Sequence, residues 1–548
     1  MLNISLLDKL KQLGYIERIF FNGEVCQEFI YCKREYNSVS TDSRNFNDGE
    51  IFLALDGEKF RGIDFLEDVL EAKADLVVFN ADDLLVDRIV FLSKKYSFCT
   101  FVSTKNTVFF LQQMAYLYAQ EWLNLGKEQK KENVHKNKRI IGITGTNGKT
   151  TSKEMLFHFL NSVFPGKVLA TEKNYNNHLG VPKTLLSLRS EHDYAIIEMG
   201  SNHPGEIKKL VEISNPQVGI ITNIGDGHLE FFIDREGVFQ EKRILFDAVM
   251  SDTAYKRIFV LNYGDPFLRS LVENRAEDIS SRIVAFQVFS EGSEKQERAD
   301  IPTNIDIVRC FYCEKGSESS IVVKGNNSPG GEGGKDFLLK NSNIVGIHNF
   351  TNLAAAFLLA KALIETDIVF HKIKQTVERM REAANTFISL NNRSLWVNMD
   401  FSDDEKSVAS KFFYLDAYNA NPSSMSAALI AIVSHLSEKK VDPKNQFYVL
   451  GDMNELGEST FLRHQEIGKL ISELGIMGVA FIGRFSSYYL QGYRDHHDGC
   501  FVCVDKEEFK KKYWRAIIGR YQYFFIKGSR SLQLETLLDI PELSLCQM

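Results

Sequence analysis

Short hydrophobic runs alternate with segments of helical periodicity along most of this chain. Ahead of residue 105, EIFLAL (50–55) and DLVVF (75–79) are typical of strands. Further along, RIIGITG (139–145), YAIIEMG (194–200) and VGIITNIG (218–225) each lead into a polar or glycine-containing turn and then a helical pattern. Strands that alternate with helices predict an α/β fold with a mostly parallel sheet.

Three domains are predicted from this pattern. Residues 1–105 form an N-terminal α/β domain, and residues 106–138 form a helix followed by a linker rich in Lys, Asn and Glu. Residues 139–390 form a central α/β domain. Residues 391–548 form a C-terminal α/β domain, whose strands FYLDAYNANP, QFYVLGD, GVAFIG and YFFIKGSR end in polar or glycine-containing turns. Ligands in open α/β sheets bind at such strand ends, so we expect binding residues there.

An insertion is predicted at about 287–340, inside the central domain. SEGSEKQE and NNSPGGEGGK are the most loop-like stretches of the chain. IDIVRCFYC and SSIVVKG, which lie between them, predict a β-hairpin. We expect this insertion to be peripheral and to carry no catalytic residues.

The composition limits the possible functions. Hydrophobic residues make up 44% and charged residues 25% of the 548 residues, as in soluble globular proteins. A formal net charge of -7 argues against nucleic-acid binding, which needs a basic surface. The N-terminus has no signal-peptide pattern, and no uncharged apolar run reaches the roughly 18 residues of a membrane span. We therefore expect a cytoplasmic protein with no membrane span and no nucleic-acid partner, and we expect it to act as a monomer.

The clearest motif is GITGTNGKTT at 142–151, a glycine-rich turn between a hydrophobic strand and a helical pattern. Backbone N–H groups of such turns bind phosphate oxygens, Lys149 would place a positive charge at the β- and γ-phosphates, and Thr150 a hydroxyl at Mg²⁺. The usual G-x-x-x-x-G-K-[ST] spacing would require glycine at Ile143, so Gly142 comes one residue too early and the loop is a variant. The predicted ATP-binding residues of this loop are Gly145, Thr146, Asn147, Gly148, Lys149, Thr150 and Thr151.

Other strand ends carry charged residues that suit ions or ligands. Glu198 ends YAIIE beside a glycine turn, where a carboxylate is well placed to bind Mg²⁺, although a surface glutamate is the alternative. Lys527 and Arg530 follow YFFI and suit a carboxylate ligand, while a simple basic turn is equally consistent with the sequence. Arg44 in TDSR has the guanidinium fork that matches phosphate oxygens.

Four further segments have distinctive amino-acid sequences. They are TDSR with GEIFLALDGE (41–58), NYNNHLGVP (174–182), DAYNANPSSM (416–425) and GDMNELG (451–457), the last followed by His464. Together with GTNGKTT they resemble the Mur ligase family, whose members form amide bonds on UDP-linked muramoyl peptides. The resemblance extends over nearly the whole chain and is weakest at 265–340.

The resemblance implies a three-domain Mur ligase architecture. An N-terminal α/β domain would bind the UDP end of the substrate, a central P-loop-type parallel-sheet domain would bind ATP, and a C-terminal Rossmann-like α/β domain would bind the incoming dipeptide. DAYNANPSSM and GDMNELG are similar to the members that add D-alanyl-D-alanine. The implied reaction is ATP-dependent ligation of D-alanyl-D-alanine to UDP-N-acetylmuramoyl-tripeptide through an acyl phosphate, with ADP and phosphate as products.

The implied cofactors are ATP and Mg²⁺, with two metal ions expected. The resemblance gives Glu198 and His228 as metal ligands, and it aligns Lys242 with a lysine that the family carbamylates with CO₂. A carbamate would bring negative oxygens to the metal where an ammonium would repel it. Taken alone, His228 is more often structural, since Mg²⁺ prefers oxygen, and Lys242 is typical of an exposed helical lysine. The catalytic residues implied are Lys149, Glu198, His228 and Lys242, and the metal ligands Thr150, Glu198, His228 and carbamylated Lys242.

The resemblance also assigns residues to the nucleotide and the substrates. For ATP it implies Asn349 and Asn352 at the adenine, Asp416 at the ribose and Arg393 at a phosphate. For the UDP-linked substrate it implies Ser43, Arg44, Asn174, Asn176 and Asn177, and for the remaining substrate contacts Tyr418, Asn419, Asn421, Lys527, Ser529 and Arg530. The amine of the dipeptide is left to one of Asp452, Asn454 and Glu455.

Two alternative functions remain open at this point. A related ligase that adds a single amino acid or glutamate would share the phosphate loop but differ at DAYNANPSSM. A P-loop NTPase that uses ATP to switch a protein partner would explain GTNGKTT, but it would not explain TDSR or the asparagine-rich loop at 174–182.

Overall fold

The structure is a computed structural model of the full chain, and it carries no ligands. It describes residues 2–29, 32–33, 35–129, 138–251, 257–274, 283–291, 307–315, 318–324, 336–367, 370–389, 393–403, 407–494 and 499–538. Most of the predicted polar linker and of the two loop-like stretches of the insertion lies outside these residues.

Two compact units divide the chain. The first comprises Met1–Gly142, Gly166–Ser201 and Gly205–Val218, and the second comprises Ile143–Pro165, Asn202–Pro204 and Gly219–Met548. The predicted domain boundaries at residues 105, 138 and 390 stay a prediction.

The first unit contains a six-stranded sheet. In spatial order its strands are Glu24–Cys26, Arg18–Phe21, Thr100–Thr104, Leu76–Asn80, Glu50–Leu53 and Ser38–Ser40. The last four are mutually parallel, whereas Arg18–Phe21 pairs antiparallel with both of its neighbours. A further antiparallel pair joins Leu2–Asn3 to Glu35–Tyr36. The helices of this unit are Ile4–Gln12, Leu66–Glu71, Val86–Lys95, Thr107–Gln129, Gly180–Leu186 and Glu206–Ser214.

Helix Thr107–Gln129 shows why a segment predicted as a helix folds as one. Its buried side chains recur every three or four residues, at Phe110, Met114 and Trp122 among others, and form one apolar stripe. The helix predicted ahead of the polar linker within residues 106–138 is therefore confirmed, and it ends at Gln129.

A nine-stranded sheet contains the strand that leads into the phosphate loop. In spatial order its strands are Val168–Ala170, Tyr194–Glu198, Arg139–Thr144, Val218–Ile221, Ile258–Asn262, Ile283–Ser290, Ile307–Lys315, Glu318–Val323 and Phe337–Lys340. The predicted β-hairpin of the insertion is confirmed, because Ile307–Lys315 and Glu318–Val323 pair antiparallel. Since Ile307–Lys315 also pairs parallel with Ile283–Ser290, the inserted strands extend the main sheet.

The C-terminal strands form a separate six-stranded sheet. In spatial order these strands are Leu395–Asp403, Ser407–Asp416, Tyr523–Lys527, Gln446–Gly451, Val479–Ile482 and Cys500–Cys503. All neighbours are parallel except Leu395–Asp403, which pairs antiparallel with Ser407–Asp416. In this register Asp416 lies opposite Lys527 at the carboxyl end of adjacent strands.

The helices of the second unit cover these strands. They are Lys149–Val163, Leu229–Phe232, Arg235–Ser251, Pro266–Glu273, Ile347–Asp367, Phe370–Ala384, Pro422–Glu438, Thr460–Glu473, Ser486–Gly492, Lys506–Phe509 and Arg515–Arg520. Among the described residues, Ile347–Asp367 alone is long and apolar enough to cross a membrane. In the structure, 72% of the most apolar 18-residue stretch of this helix is buried, as in a core helix of a globular domain.

Candidate nucleotide and substrate site

The phosphate loop folds as a strand, a glycine turn and a helix, as its sequence predicts. The buried strand Arg139–Thr144 ends at Gly145, and the helix begins at Lys149. Gly145 has φ +146° and Gly148 has φ +80°, both in the region that favours glycine. A Cβ atom on Gly148 would lie 2.6 Å from the side-chain oxygen of Asn352, so a larger residue cannot take this position without displacing that neighbour.

Asn223 and Thr222, at the end of the next strand, fix the backbone of this turn. The N–H of Asn147 donates to the side-chain oxygen of Asn223 at 3.0 Å, and the N–H of Thr146 donates to the Asn223 carbonyl at 3.0 Å. The hydroxyl of Thr222 donates to the Asn147 carbonyl at 2.6 Å. These bonds occupy the amides of residues 146 and 147. The amide of Ser152 donates to the Gly148 carbonyl, so residues 148–151 form the first turn of the helix, and the N-terminus of a helix is where phosphate oxygens bind.

The Lys149 ammonium lies over its own loop. Its Nζ donates to the carbonyl of Gly145 at 2.7 Å and to the carbonyl of Thr146 at 3.0 Å. Thr150, the predicted source of the Mg²⁺ hydroxyl, lies one residue further into the helix and is buried. The structure thus brings a cation, a hydroxyl and a helix N-terminus together, which is the chemistry that a nucleotide's phosphates require.

The side chain of Asn147 bonds to the N-terminal cap of helix Pro422–Glu438. Asn421 donates to the Asn147 side-chain oxygen at 2.7 Å, and Asn147 donates to the Ser423 hydroxyl at 3.0 Å. The side-chain oxygen of Asn421 also accepts from the Ser424 N–H at 2.8 Å, which caps the helix. We predicted Asn421 as a substrate-binding residue, and in this structure its side chain is buried between the cap and the loop. Its pairing with Asn147 could not be predicted from the sequence, because the two residues are 274 positions apart.

The two asparagines predicted at the adenine have different surroundings. Both N–H groups of the buried Asn349 amide are engaged, one by the Val345 carbonyl at 2.9 Å and one by the Ser394 hydroxyl at 3.2 Å. Asn352 lies one helical turn further and packs against Gly148 of the phosphate loop. Of the two, Asn352 is therefore the one whose contact with the phosphate loop is defined.

Asp416 and Lys527, which oppose each other across the sheet, form an ion pair of 2.5 Å. The Lys527 ammonium also donates to the Asn419 carbonyl at 3.2 Å and is almost fully buried. We predicted Lys527 for a substrate carboxylate and Asp416 for the ribose, and the structure brings the two together. Nearby, the pKa of His348 is lowered to about 4, mainly by burial and in smaller part by the Lys527 charge, while Asp416 opposes the shift.

Two arginines flank the ring of Tyr418. The guanidinium carbon of Arg393 lies 3.8 Å from the ring centroid, and that of Arg530 lies 5.8 Å from it. Arg530 also pairs with Glu535, yet its side chain remains 42% exposed. Ser529 is engaged elsewhere, since its hydroxyl donates to the Asp452 carbonyl at 2.7 Å. Among the cations predicted for the dipeptide carboxylate, Arg530 is thus more accessible than Lys527.

His228 lies against Glu455, with its Nδ1 2.5 Å from Oε2 of the carboxylate. Both residues have positive φ angles, +54° and +63°, so the backbone holds each of them in a strained conformation. The hydrogen bond from His228 lowers the pKa of Glu455, although burial opposes this. The sequence suggested both residues separately and missed their contact.

The three residues considered for the dipeptide amine are now distinguished by their contacts. The buried Asp452 carboxylate accepts from the N–H groups of Arg484 and Phe485 at 2.8 and 2.9 Å, and burial raises its pKa. The side-chain amide of Asn454 donates to the Ser531 hydroxyl at 3.1 Å. The side chain of Glu455 is 46% exposed. Glu455 is therefore the carboxylate of this group that a soluble ammonium can reach.

Lys242 is buried in helix Arg235–Ser251, with 2% of its surface exposed. The alternative of an ordinary exposed helical lysine is therefore wrong. Its neighbour Glu241 is also buried, which the charged pattern of this helix did not indicate.

The first unit holds the predicted residues for the UDP end and the predicted metal ligand Glu198. Glu198 is buried, so the alternative of a surface glutamate is wrong. Its Oε1 accepts from the side-chain amide of Asn176 at 2.9 Å, and its N–H donates to the Thr171 hydroxyl at 3.0 Å. Asn174 is exposed, while the side-chain oxygen of Asn177 accepts from the N–H groups of Leu179 and Gly180, just before and at the start of helix Gly180–Leu186.

TDSR forms a short turn in which Asp42 and Arg44 bind each other. Nε of Arg44 lies 2.8 Å from Oδ1 of Asp42, and this hydrogen bond lowers the pKa of the carboxyl to about 2. Ser43 is half-buried, and the Arg44 side chain is exposed. The ammonium of Lys183 donates to the Thr41 hydroxyl at 2.6 Å, and burial lowers its pKa. Sequence reasoning missed Lys183, although it stands directly after the NYNNHLGVP segment.

The donor groups present are compatible with Mg²⁺. Among the residues that the structure describes, no group of three or more His, Cys, Asp or Glu side chains is arranged as a metal site. Mg²⁺ usually takes one or two carboxylates together with waters and phosphate oxygens, so it does not need such a group. The buried carboxylate of Glu198 and the hydroxyl of Thr150 are oxygen donors of the kind it prefers.

Comparison with known proteins agrees with this geometry. The family model described as the Mur ligase middle domain matches residues 143–360. Over 505 residues the chain is 27% identical to the UDP-N-acetylmuramoyl-tripeptide–D-alanyl-D-alanine ligase of Bacillus subtilis (strain 168), covering 92% of each chain.

Solved structures show the same architecture. MurF from Acinetobacter baumannii superposes with a TM-score of 0.70 at 24% identity, covering 100% of this chain and 99% of that one. MurF ligase from Thermotoga maritima, solved in complex with ADP, gives 0.65 at 21% identity, covering 93% and 98%. The predicted α/β fold with its three-domain Mur ligase architecture is confirmed. The chain is thus similar to Mur ligases over most of its length, and its residues 143–360 match the Mur ligase middle domain.

Proposed function

We propose that this chain is an ATP-dependent ligase that joins D-alanyl-D-alanine to UDP-N-acetylmuramoyl-tripeptide, with ADP and phosphate as products. The observation that carries this proposal is the phosphate loop formed by residues 145–151, in which the Lys149 ammonium binds the loop carbonyls. The relative from Bacillus subtilis, which carries the name of this reaction, aligns with 92% of the chain. The predicted enzyme class follows from these two observations together.

The reaction needs an activated carboxylate. The carboxylate oxygen of the tripeptide attacks the γ-phosphorus of ATP, ADP leaves, and an acyl phosphate forms. The amine of the dipeptide then attacks the acyl carbon, phosphate leaves, and the nitrogen loses a proton. The Lys149 ammonium and the amides at the start of helix Lys149–Val163 hold the phosphates and stabilise the charge that develops during transfer.

Mg²⁺, when bound, neutralises phosphate charge and orients the γ-phosphoryl group. The proposal gives Thr150, Glu198 and His228 as its ligands, with two ions, and it adds Lys242 if that amine is carbamylated. Glu198 and Lys242 are both buried, so neither is an ordinary solvated surface charge, and this supports a functional role for them.

The remaining residues divide between the nucleotide and the two substrates. For the nucleotide the proposal keeps Asn352, Arg393 and Asp416 and adds the amides of residues 148–151. Asn349 contributes by positioning, since both of its N–H groups are engaged. For the UDP end it keeps Ser43, Arg44, Asn174, Asn176 and Asn177. For the dipeptide it places the carboxylate at Arg530 and the ammonium at Glu455, with Tyr418, Asn419, Asn421, Lys527 and Ser529 as the structural surroundings.

The proposal retains the predicted domain assignments, cellular location and oligomeric state. Residues 1–105 are assigned to the UDP-linked substrate, 139–390 to ATP and 391–548 to the dipeptide, with 106–138 between the first two. We expect the enzyme to act in the cytoplasm as a monomer and to have no nucleic-acid partner.

A substrate panel tests the proposal. Purified protein is mixed with Mg-ATP, UDP-muramoyl-tripeptides that end in lysine or diaminopimelate, and D-alanyl-D-alanine, and phosphate release and product mass are measured. We expect a mass gain of one dipeptide. A product that gains one amino acid would favour a related ligase. ATP hydrolysis that responds to a protein partner, and not to these substrates, would favour the NTPase alternative.

A further inference from the structure

Helix Pro422–Glu438 is attached to the phosphate loop at its first turn. Its cap, Asn421, and its second residue, Ser423, both bond to the side chain of Asn147. A Cβ atom on Gly225 would lie 2.7 Å from the Ser423 hydroxyl, so the segment that follows strand Val218–Ile221 also contacts this turn closely. The start of the helix thus lies against two of the turns that surround the nucleotide phosphates under our proposal.

The middle of the same helix packs against the start of helix Ile347–Asp367. A Cβ atom on Gly346 would lie 2.4 Å from the Cβ of Ala431, so the two segments approach as closely as a glycine permits. Helix Ile347–Asp367 carries Asn352, which contacts Gly148 of the phosphate loop. Movement of helix Pro422–Glu438 would therefore affect the loop by a second route.

The last turn of the helix bonds to the insertion. Nδ1 of His435 lies 2.6 Å from Oε1 of Glu314, and the two side chains are only 2% and 8% exposed. Glu314 belongs to strand Ile307–Lys315, and its Oε2 accepts from the Tyr312 hydroxyl at 2.9 Å. Burial alone would raise the pKa of Glu314, but the hydrogen bonds from His435 and Tyr312 outweigh it and lower the pKa. The carboxylate is therefore held in its charged form, in which it accepts the strongest hydrogen bond from His435.

A helix fixed at both ends keeps its direction. This helix has 17 residues, which is about 25 Å of rigid rod, so a small tilt at one end becomes a displacement at the other. Because buried charged groups tolerate the loss of a partner poorly, the Glu314–His435 contact resists such a tilt. The predicted insertion, which we expected to be peripheral, thus reaches the helix that carries the nucleotide-side contacts.

We propose that the Glu314–His435 pair positions helix Pro422–Glu438 for nucleotide binding, which gives the inserted strands a role in holding the phosphate loop. Both are positioning residues, since they act through Asn421 and Asn147. This inference rests on the proposed function only in that the loop binds a nucleotide.

ADP binding to the full chain, measured by calorimetry, tests the inference without depending on ligation. We expect Glu314→Gln and His435→Asn each to raise the Kd for ADP about three- to tenfold, the size of effect that coupled residues of one network produce. Glu291→Gln is the matched control. It removes an exposed carboxylate that binds Lys315 at 3.1 Å, and Lys315 lies in the same strand as Glu314. We expect the control to bind ADP as the wild type does.

A double-mutant cycle separates positioning from general destabilisation. If Glu314 acts through the cap, Glu314→Gln should change the Kd much less in an Asn421→Ala background than in the wild type. The inference would be overturned if the fold-changes in Kd from the two substitutions simply multiply in the double mutant. It would also be overturned if Glu314→Gln lowers the Tm and leaves the Kd unchanged. Should Glu314→Gln fail to fold, Tyr312→Phe removes only the hydroxyl bound to Glu314 and is expected to act in the same direction.

The outcomes distinguish this inference from the proposed function. If the protein binds ADP and shows the expected coupling between Glu314 and Asn421 but ligates no dipeptide, the proposed function alone is wrong. If the protein ligates the dipeptide but its Glu314→Gln variant binds ADP as the wild type does, the positioning role alone is wrong. A wild-type protein that binds no nucleotide would overturn both.

Discussion

The side-chain amide of Asn421 donates to the side-chain oxygen of Asn147, 2.7 Å away, although 274 residues separate them in the chain. Asn147 lies in the turn that holds phosphate under our proposal, and Asn421 caps the helix that follows a C-terminal strand. The nucleotide loop and this helix cap therefore form one hydrogen-bond network. A change in either side chain is expected to affect both stability and nucleotide binding.

Replacement of Asn421 by alanine should lower stability and weaken nucleotide binding together. Loss of the cap is expected to cost about 1 kcal/mol, and loss of the bond to Asn147 leaves the turn less well fixed. Calorimetric ADP titration and thermal unfolding measure the two effects. Asp505→Ala is the control, because Asp505 caps another helix by accepting from the Glu508 N–H at 2.7 Å. A similar loss of ADP affinity in the control would show that stability alone explains the result.

Replacement of Lys149 by alanine should abolish turnover without unfolding the protein. The ammonium is the positive charge positioned over the loop, and removal of such a stabilising group typically costs about a hundredfold or more in kcat. Phosphate release with all three substrates gives the rate, and circular dichroism checks the fold. Lys208→Ala removes an exposed lysine and should retain full activity. Turnover near the wild-type rate in Lys149→Ala would count against the assigned loop.

Replacement of Glu198 by glutamine should raise the Mg²⁺ concentration needed for half-maximal activity. Glutamine keeps the shape of the side chain and can still accept from Asn176, but it removes the negative charge that attracts the ion. We expect a shift of about tenfold or more, of the order found when groups around a metal site are altered. An activity titration with MgCl₂ measures it. The exposed Glu212, in helix Glu206–Ser214, gives the control Glu212→Gln, and an equal shift in both variants would remove Glu198 from the metal site.

Acid should destabilise the fold through His464. Burial lowers the pKa of His464 to about 4, although the hydrogen bond to the Thr460 carbonyl opposes this. Its Nε2 accepts from the Met453 N–H, and protonation would break that bond. The unfolded chain binds the proton first, so this contribution to stability is complete above about pH 6.5 and is lost as the pH falls toward 4, by at most about 1.4 kcal/mol per pH unit.

The Tm at pH 7 and pH 5 measures this loss. His464→Gln should flatten the decrease in Tm between the two values, whereas replacement of the exposed His178 by glutamine should not. Identical pH dependence in the wild type and His464→Gln would exclude His464 as the source.

Local patterns were sufficient to predict the phosphate loop. A buried strand, glycines where φ is positive, and a helix that begins at Lys149 are all properties of adjacent residues, and the structure reproduces each of them. The strands of the C-terminal sheet were predicted for the same reason, since each is a short apolar run that ends in a turn.

Contacts between distant residues could not be predicted in this way. The bonds from Asn421 to Asn147 and from His435 to Glu314 depend on how helix Pro422–Glu438 lies against strands far away in the sequence. The burial of Lys242 likewise depends on tertiary packing, because its local sequence is charged. The resemblance identified Asn421 and Lys242 as important, but only the structure indicates what surrounds them.

The proposed reaction passes through an acyl phosphate, and the transfer of a labelled oxygen reveals whether that intermediate forms. UDP-muramoyl-tripeptide labelled with ¹⁸O in its reacting carboxylate is incubated with the protein, Mg-ATP and D-alanyl-D-alanine, and the released phosphate is analysed by mass spectrometry. We expect one ¹⁸O atom in each phosphate released, because the carboxylate oxygen that attacks ATP leaves with the phosphate. Unlabelled phosphate alongside a ligated product would contradict it.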